Sequence, residues 1–392
     1  GMRVEIELNN YGIKRIRQGN PLIQQDDLKQ DIKKIPLEWV KFVDNKHKYI
    51  ATGYLGKQNK GFGWVLGQTQ RPINKAFLME KFQQAINQRQ AFFADQGTNT
   101  FRLFNGEGDG IGGVTVDYYA DYLVISWYNE TIYHFQKLIV DSLLAVFPSA
   151  KGIVEKIRFK SEGKESRWLA GEKPQEPLIV LENGVSYAVY LDEGYMTGIF
   201  LDQKEVRGRL TEGLAAGKKV LNMFSYTGAF SVAAAYGGAL ETTSVDLAQR
   251  SLPKTQEQFE VNDLPLEKQK IIVMDTFDYF RYALRKGLSY NLIVLDPPSF
   301  ARNKKKTFSV AKDYGRLIED SVEILTNDGM IIASTNAANL PIKKFKQAIE
   351  TAFQNKNVTY QLTESYRLPA DFPASNFEES NYLKVLFYRI KK

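Results

Sequence analysis

The stretch KVLNMFSYTGAFSVAAAYGGALETTSVD, residues 219–246, constrains the fold more than any other part of the chain. Val220, Leu221 and Met223 form a short apolar run that reads as a strand. Ser225, Tyr226, Thr227 and Gly228 interrupt it with turn chemistry, and the apolar residues that follow to Tyr236 favour a helix. Residues 242–245 then supply a second strand that ends on an acid, Asp246. This is one strand–helix–strand half of a doubly wound α/β sheet. Such a fold places a ligand at the carboxyl ends of its strands, over the first helix N-terminus. An acid about 20 residues past the turn can accept hydrogen bonds from a ribose diol, and Asp246 stands eighteen residues after Gly228. An ordinary βαβ unit that binds nothing is the alternative at this point.

Strands and helices alternate from residue 179 to the end of the chain. A hairpin is expected at 179–191 around Asn183-Gly184. TGIFLDQKEVR, residues 197–207, leads into a helix ahead of the first sheet strand. Further strands are expected at 270–273, 291–295 and 330–334, a helix at 343–353, and a closing hairpin of 360–367 with 382–389. That order predicts a mostly parallel sheet with antiparallel pairing at one edge.

The 392 residues leave room for two or three domains. Residues 2–72 carry short strand candidates at 4–8, 40–43, 49–54 and 63–66, punctuated by glycines, and read as a compact β-rich module. This module holds thirteen Lys/Arg against seven Asp/Glu, most of the net charge of +7. A basic module suggests a polyanionic partner, nucleic acid first; a solvated basic face is the alternative. Lys14, Arg15 and Arg17 are the residues expected on phosphates. Residues 73–170 read as a small α+β unit, with helices at 75–97 and 132–147 and strands flanking the loop GEGDGIGG at 106–113. Strands follow at 122–128 and 153–159, and 169–178 reads as a linker. The loop holds a formal G-x-G-x-x-G at Gly108, Gly110 and Gly113. It leads into a strand and so lacks the helix N-terminus that a pyrophosphate needs.

Cysteine is absent, which excludes a disulfide, a thiolate metal site and a cysteine nucleophile. With only two histidines no metal site is expected. No run of 18 apolar residues is present, so no membrane span is expected, and the composition fits a reducing, cytoplasmic compartment.

Three acids end strands on one rim of the expected sheet: Asp246, Asp275 and Asp296. Asp275 could accept from an adenine amino group, with Phe277 against the ring. Asp296-Pro297-Pro298 is the least ordinary element, because two consecutive prolines fix φ and offer no donors. The result is a rigid, carbonyl-rich edge at the mouth of the site.

TGIFLDQ (197–203), NMFSYTGAF (222–230), SVD (244–246) and LDPPSF (295–300) resemble motifs of S-adenosylmethionine-dependent methyltransferases. The chain is similar in particular to the bacterial large-subunit ribosomal RNA methyltransferase I family, which modifies cytosine C5. The likeness covers nearly the whole chain, and RLFNGEGDGIGGVTVD (102–117) is similar to that family's bridging hairpin. It implies an α/β fold class: a PUA-like RNA-binding domain at 2–72, an α+β bridging domain at 73–170 and a class I Rossmann-like methyltransferase domain at 178–392. It implies S-adenosylmethionine as cofactor and RNA, 23S ribosomal RNA in the first place, as partner; a homodimer stays open. On this reading the cofactor site comprises Phe200, Asp202, Gln203, Asn222, Phe224, Ser225, Tyr226, Thr227, Gly228, Asp246, Asp275, Thr276, Phe277 and Asp296. Asp296, Pro297, Pro298, Phe300 and Asn336 form the catalytic face, with Phe300 stacking on the extruded base. Lys304, Lys305 and Lys306 join Lys14, Arg15 and Arg17 on the RNA.

One departure from the family is chemical. The cytosine-C5 members carry cysteine in the fifth-strand motif, where this chain has Ala333-Ser334-Thr335-Asn336. Carbon 5 of cytosine must be activated by a thiolate adding at C6. Relatives that methylate guanine N7 are more similar here, with an asparagine-bearing, cysteine-free motif and a Lys/Arg-rich run after Pro-Pro. N7 carries its own lone pair and needs only to be positioned. The expectation is therefore an RNA base methyltransferase acting on guanine N7. The cytosine-C5 reaction is the alternative within the family. A nicotinamide-dependent oxidoreductase and a non-catalytic RNA-binding protein are the alternatives outside it.

Overall fold

The computed structural model describes residues 4–161, 163, 165–194, 196–302 and 307–392. Two compact units divide them. One takes the chain up to Val180 with Val189–Thr197 and Ala370–Ser380; the other takes Leu181–Ala188, Gly198–Pro369 and Asn381–Lys392.

The first unit opens with a five-stranded sheet in which Val4–Glu7, Val40–Val43, Tyr49–Gln58, Gly61–Gly67 and Leu22–Ile23 lie side by side in that order. The β-rich reading of this region holds, but the helix Asn10–Arg17 was not foreseen. Asn9 starts it by accepting from the Gly12 amide at 2.9 Å, and Ile13 and Ile16 bury its inner face. A second sheet orders Ser166–Gly171, Gly152–Ile157, Tyr122–Trp127, Val114–Tyr119 and Thr100–Asn105. The expected linker is corrected at its start, because Ser166–Gly171 pairs antiparallel with Gly152–Ile157. The expected helix at 132–147 is two helices, Glu130–His134 and Gln136–Val146.

Packing explains the glycine-rich loop. A Cβ on Gly108 would stand 1.6 Å from the Pro373 carbonyl oxygen, and one on Gly112 would stand 2.2 Å from the Trp64 indole. The segment Ala370–Ser380 is locked onto this loop. Arg89, 1% exposed, donates twice to Asp109 at 3.0 and 2.7 Å and once to the Asp371 carbonyl at 2.8 Å. The Asp371 carboxylate in turn accepts the Arg102 amide at 2.9 Å.

The second unit is built on seven strands: β1 Lys219–Met223, β2 Glu241–Asp246, β3 Gln269–Val273, β4 Tyr290–Leu295, β5 Leu325–Thr335, β6 Thr359–Tyr366 and β7 Lys384–Lys391. Their order in the sheet is β3-β2-β1-β4-β5-β7-β6. The first five are parallel, and β7 runs antiparallel between β5 and β6. Helices α1 Ala229–Tyr236, α2 Ser251–Glu260, α3 Thr276–Lys286, α4 Val310–Glu323 and α5 Ile342–Asn355 connect them.

Alternation along the strands fills two cores, as a parallel sheet covered on both faces requires. Leu221, Ile293, Leu295 and Ile331 pack with Phe280, Leu317 and Phe345, while Val220, Leu292, Val294 and Ile332 pack with Leu210, Phe230 and Ala233. Each of the buried Val, Leu, Ile and Phe side chains contributes about 1.5–3 kcal/mol. The order reverses between β1 and β4, and a ligand crevice opens at the carboxyl ends beside that point.

Candidate active site

The turn after β1 is held in a costly conformation. Phe224 (φ +58°) and Tyr226 (φ +53°) are left-handed without being glycine, and Gly228 (φ +76°) follows at the start of α1. Each such non-glycine residue costs on the order of 1–3 kcal/mol, which persists where the surroundings impose it. The Ser225 amide donates to the Val245 carbonyl at 3.0 Å, and the Thr227 hydroxyl donates to the Gly198 carbonyl at 2.6 Å. Gly228 is required on steric grounds as well, since a Cβ there would meet the Thr255 methyl at 2.6 Å.

Asp246 underpins the turn. Its carboxylate accepts the Tyr226 amide at 3.3 Å and the Ala248 amide at 3.2 Å. Burial nevertheless raises its pKa above the ordinary value, against those two donors and Arg250.

A cavity opens beside the turn, lined by Ile199, Phe200, Gln203, Phe224, Tyr226 and Asp296 among others. The Phe200 and Tyr226 rings stand 5.1 Å apart at its mouth. Burial pushes the Asp296 carboxyl up to about 7, and the nearby Asp202 carboxylate adds to the shift; Ser334, Arg207 and Gln203 oppose it. Gln203 Nε2 donates to Ser334 Oγ at 2.8 Å and lies 3.4 Å from Asp296 Oδ1. Its Oε1 is buried and has no partner.

Several supporting residues escape a reading of the sequence. Arg207 forms a two-pronged ion pair with Glu182 and donates to the Phe200 carbonyl at 2.7 Å. Tyr382 donates to Asp202 at 2.7 Å. Tyr314, on α4, donates to the Ser334 carbonyl at 2.8 Å and lies 3.4 Å from that of Leu295, so one hydroxyl bridges the ends of β5 and β4. The signal for these was weak: charged or phenolic residues on apolar helical faces, with partners distant in sequence.

Of the residues expected at the cofactor, Phe200, Gln203, Phe224, Ser225, Tyr226, Thr227 and Asp296 line the cavity together. Asn222 is fully buried beneath the turn, where it donates to Ser231 at 3.2 Å. Asp275 caps α3 by accepting the Phe277 and Asp278 amides at 2.9 and 3.1 Å. Thr276 is buried at the start of α3, and Phe277 packs in the core with the Arg316 guanidinium 3.8 Å over its ring.

On the expected catalytic face, Pro297 is buried and Pro298 exposed. Asn336 is exposed and accepts from the Ser299 hydroxyl at 3.0 Å. Phe300 begins the short strand Phe300–Arg302. Lys304, Lys305 and Lys306 lie outside the described residues. In the first unit Lys14 and Arg17 are exposed, whereas Arg15 is paired with the buried Asp27. Among the described residues no cluster of His, Asp or Glu is arranged to hold a metal ion, and no helix is long and apolar enough to cross a membrane.

Residues 132–389 match the family profile of S-adenosylmethionine-dependent methyltransferases, and residues 6–68 match that of a PUA-like domain. A Bacillus subtilis relative named "Putative ribosomal RNA large subunit methyltransferase YwbD" is 48% identical over 96% of this chain and 97% of its own length. The ribosomal RNA large subunit methyltransferase I of Yersinia pseudotuberculosis is 29% identical, with 90% of each chain covered. The solved structure of "SMU.776, a putative methyltransferase complexed with SAH" is 43% identical and superposes with a TM-score of 0.94, over 99% of this chain and all of that one.

Proposed function

The chain belongs to the S-adenosylmethionine-dependent methyltransferase family, and on that footing we propose that it methylates guanine N7 in the large-subunit 23S ribosomal RNA. S-adenosylmethionine is its cofactor, and the nicotinamide alternative falls with the family assignment. The RNA substrate follows the names of its relatives.

The site fits the cofactor on its own evidence. Gln203 Oε1 is a buried acceptor in want of a donor, which an amino-acid ammonium group supplies. Phe200, Gln203, the 224–227 turn and Asp246 would hold the molecule, with Asp246 accepting from the ribose hydroxyls. When bound, the cofactor supplies a methyl group on a positively charged sulfur. Asp296 keeps a carboxyl near that charge, and the Asp296-Pro297-Pro298 edge fixes the side from which a base can approach.

One observation carries the choice of acceptor: the fifth-strand segment offers no nucleophile. The chain has no cysteine. Ser334 and Thr335 are 1% and 0% exposed; Ser334 accepts from Gln203, and Thr335 accepts the Ala337 amide at 3.1 Å. Neither hydroxyl can add to C6 of cytosine, the step that C5 methylation requires. Guanine N7 brings its own lone pair, so orientation and desolvation suffice. Transfer of labelled methyl to unmodified large-subunit ribosomal RNA, followed by nucleoside digestion, tests the reading. The expected product is 7-methylguanosine; 5-methylcytidine would overturn it.

A further inference from the structure

Ser299 follows Asp296-Pro297-Pro298 on one side of the rim, and Asn336 directly follows β5 on the other. The Ser299 hydroxyl donates to Asn336 Oδ1 at 3.0 Å. A carboxamide has one oxygen and one NH2 group, so with the oxygen engaged the amide turns its donors outward. The segment that carries Asn336 is clamped on both sides. Tyr314 donates to the Ser334 carbonyl at 2.8 Å. Lys384, 2% exposed, donates to the carbonyls of Ala337 and Leu340 at 2.6 and 2.7 Å.

Resting on the guanine-N7 reading above, we propose that Asn336 selects the base by donating to O6 of guanine, leaving the N7 lone pair free to take the methyl group, and that Ser299 is the positioning residue that holds the amide for this. The N7/O6 edge of guanine presents acceptors only, whereas cytosine presents its N4 amino group as a donor. An outward NH2 group complements the first and opposes the second. Rotated, the amide could still bond to Ser299, with the hydroxyl accepting from its NH2 group; in the arrangement seen here the hydroxyl donates, which leaves the NH2 group for the base. Selection against cytosine thus lies in the hydrogen bond between two exposed side chains as well as in the missing cysteine.

The test is Asn336→Asp in the full chain, assayed with unmodified large-subunit ribosomal RNA transcript and labelled S-adenosylmethionine across pH. The substitution keeps the shape and replaces the NH2 group by oxygen. Ionised, it opposes an acceptor edge; protonated, it regains an O–H donor. The ratio of variant to parent kcat should therefore rise as pH falls, from a loss of about a hundredfold near pH 8 to under about tenfold near pH 5. Tyr314 and Lys384 hold the neighbouring carbonyls in both proteins; Asp296, raised to about 7, titrates within the range, so the comparison is repeated in an Asp296→Asn background to isolate the introduced carboxyl. Ser299→Ala should lower kcat roughly tenfold with cofactor affinity unchanged, and Ser299→Thr should restore it. A ratio flat with pH, or Ser299→Ala at the parent rate, while the product is 7-methylguanosine, overturns this inference and leaves the acceptor reading intact. Product analysis giving 5-methylcytidine overturns both.

Discussion

Arg207 and Glu182 meet in a two-pronged ion pair, at 2.7 and 2.8 Å, with both side chains 1% exposed. The same guanidinium holds the Phe200 carbonyl, so one buried pair sets the wall of the cofactor cavity. Removing one partner leaves the other charge buried alone, which typically costs 3–5 kcal/mol. Glu182→Ala should lower unfolding stability by about that amount in urea titration. Replacing both residues by apolar ones of similar volume should cost far less. A single variant as stable as the parent would mean water reaches Arg207.

Asp246→Ala should weaken S-adenosylmethionine binding at least about tenfold, because charge-assisted hydrogen bonds are worth about 1.5–3 kcal/mol each. The carboxylate also anchors the Tyr226 amide, so a local loosening of the turn is expected with no global unfolding. Calorimetric titration with thermal denaturation separates the two effects. Unchanged affinity would remove Asp246 from the ribose.

Asp296 should make cofactor binding depend on pH near neutrality. Its folded value of about 7 lies far above the ordinary 3.8 because burial penalises the charge. A cationic cofactor favours the ionised form, so affinity should be full above pH 7 and decline as pH falls through it, with protons released on binding. Titrations in buffers of different ionisation enthalpy measure that release. For stability the sign is opposite: the raised pKa penalises the folded state fully above pH 7. Asp296→Asn should therefore melt higher than the parent at pH 8, with the gap closing towards pH 4.

Exposed Lys14 and Arg17 should contribute to the salt dependence of RNA binding, while Arg15 should not, being committed to buried Asp27. Each phosphate contact adds about 0.7–0.9 to the slope of log affinity against log salt. Lys14→Gln with Arg17→Gln should flatten the slope by nearly two such steps and leave cofactor affinity untouched. Point changes are preferable to deleting the module, because Tyr54 and Trp64 belong to the same hydrophobic cluster as Phe77 and Phe104. An identical slope in the double variant would move the contact elsewhere.

The methyltransferase sheet was legible because each of its signals is local. Each apolar run adjoins the acid that ends it, Asp246 or Asp296, and the turn Phe224–Ser225–Tyr226–Thr227–Gly228 is a single unbroken stretch. What escaped depends on distant partners. The strand Ser166–Gly171 exists because Gly152–Ile157 pairs with it, and its prolines and charges downstream mimic a linker. Helix Asn10–Arg17 is two turns long and interrupted by Gly12, too short for periodicity to register. Tyr314 and Arg207 read as ordinary helical residues until the fold brings carbonyls and a carboxylate to them. Their chemistry is visible in the sequence; their addressees are not.

The docking of Ala370–Ser380 onto the Arg89–Asp109 pair bears on how the protein is made. A ribosome releases the chain from the N-terminus at about 5–20 residues per second, and early domains usually fold as they emerge. Here the buried guanidinium of Arg89 cannot find the Asp371 carbonyl until the chain has been synthesised past residue 371. The first unit is thus completed late, and the second, whose sheet needs Lys384–Lys391 between β5 and β6, only after it. Until then the face that receives Pro373 stands open to solvent and to chaperones, and early termination before residue 370 yields an N-terminal unit lacking its own final segment.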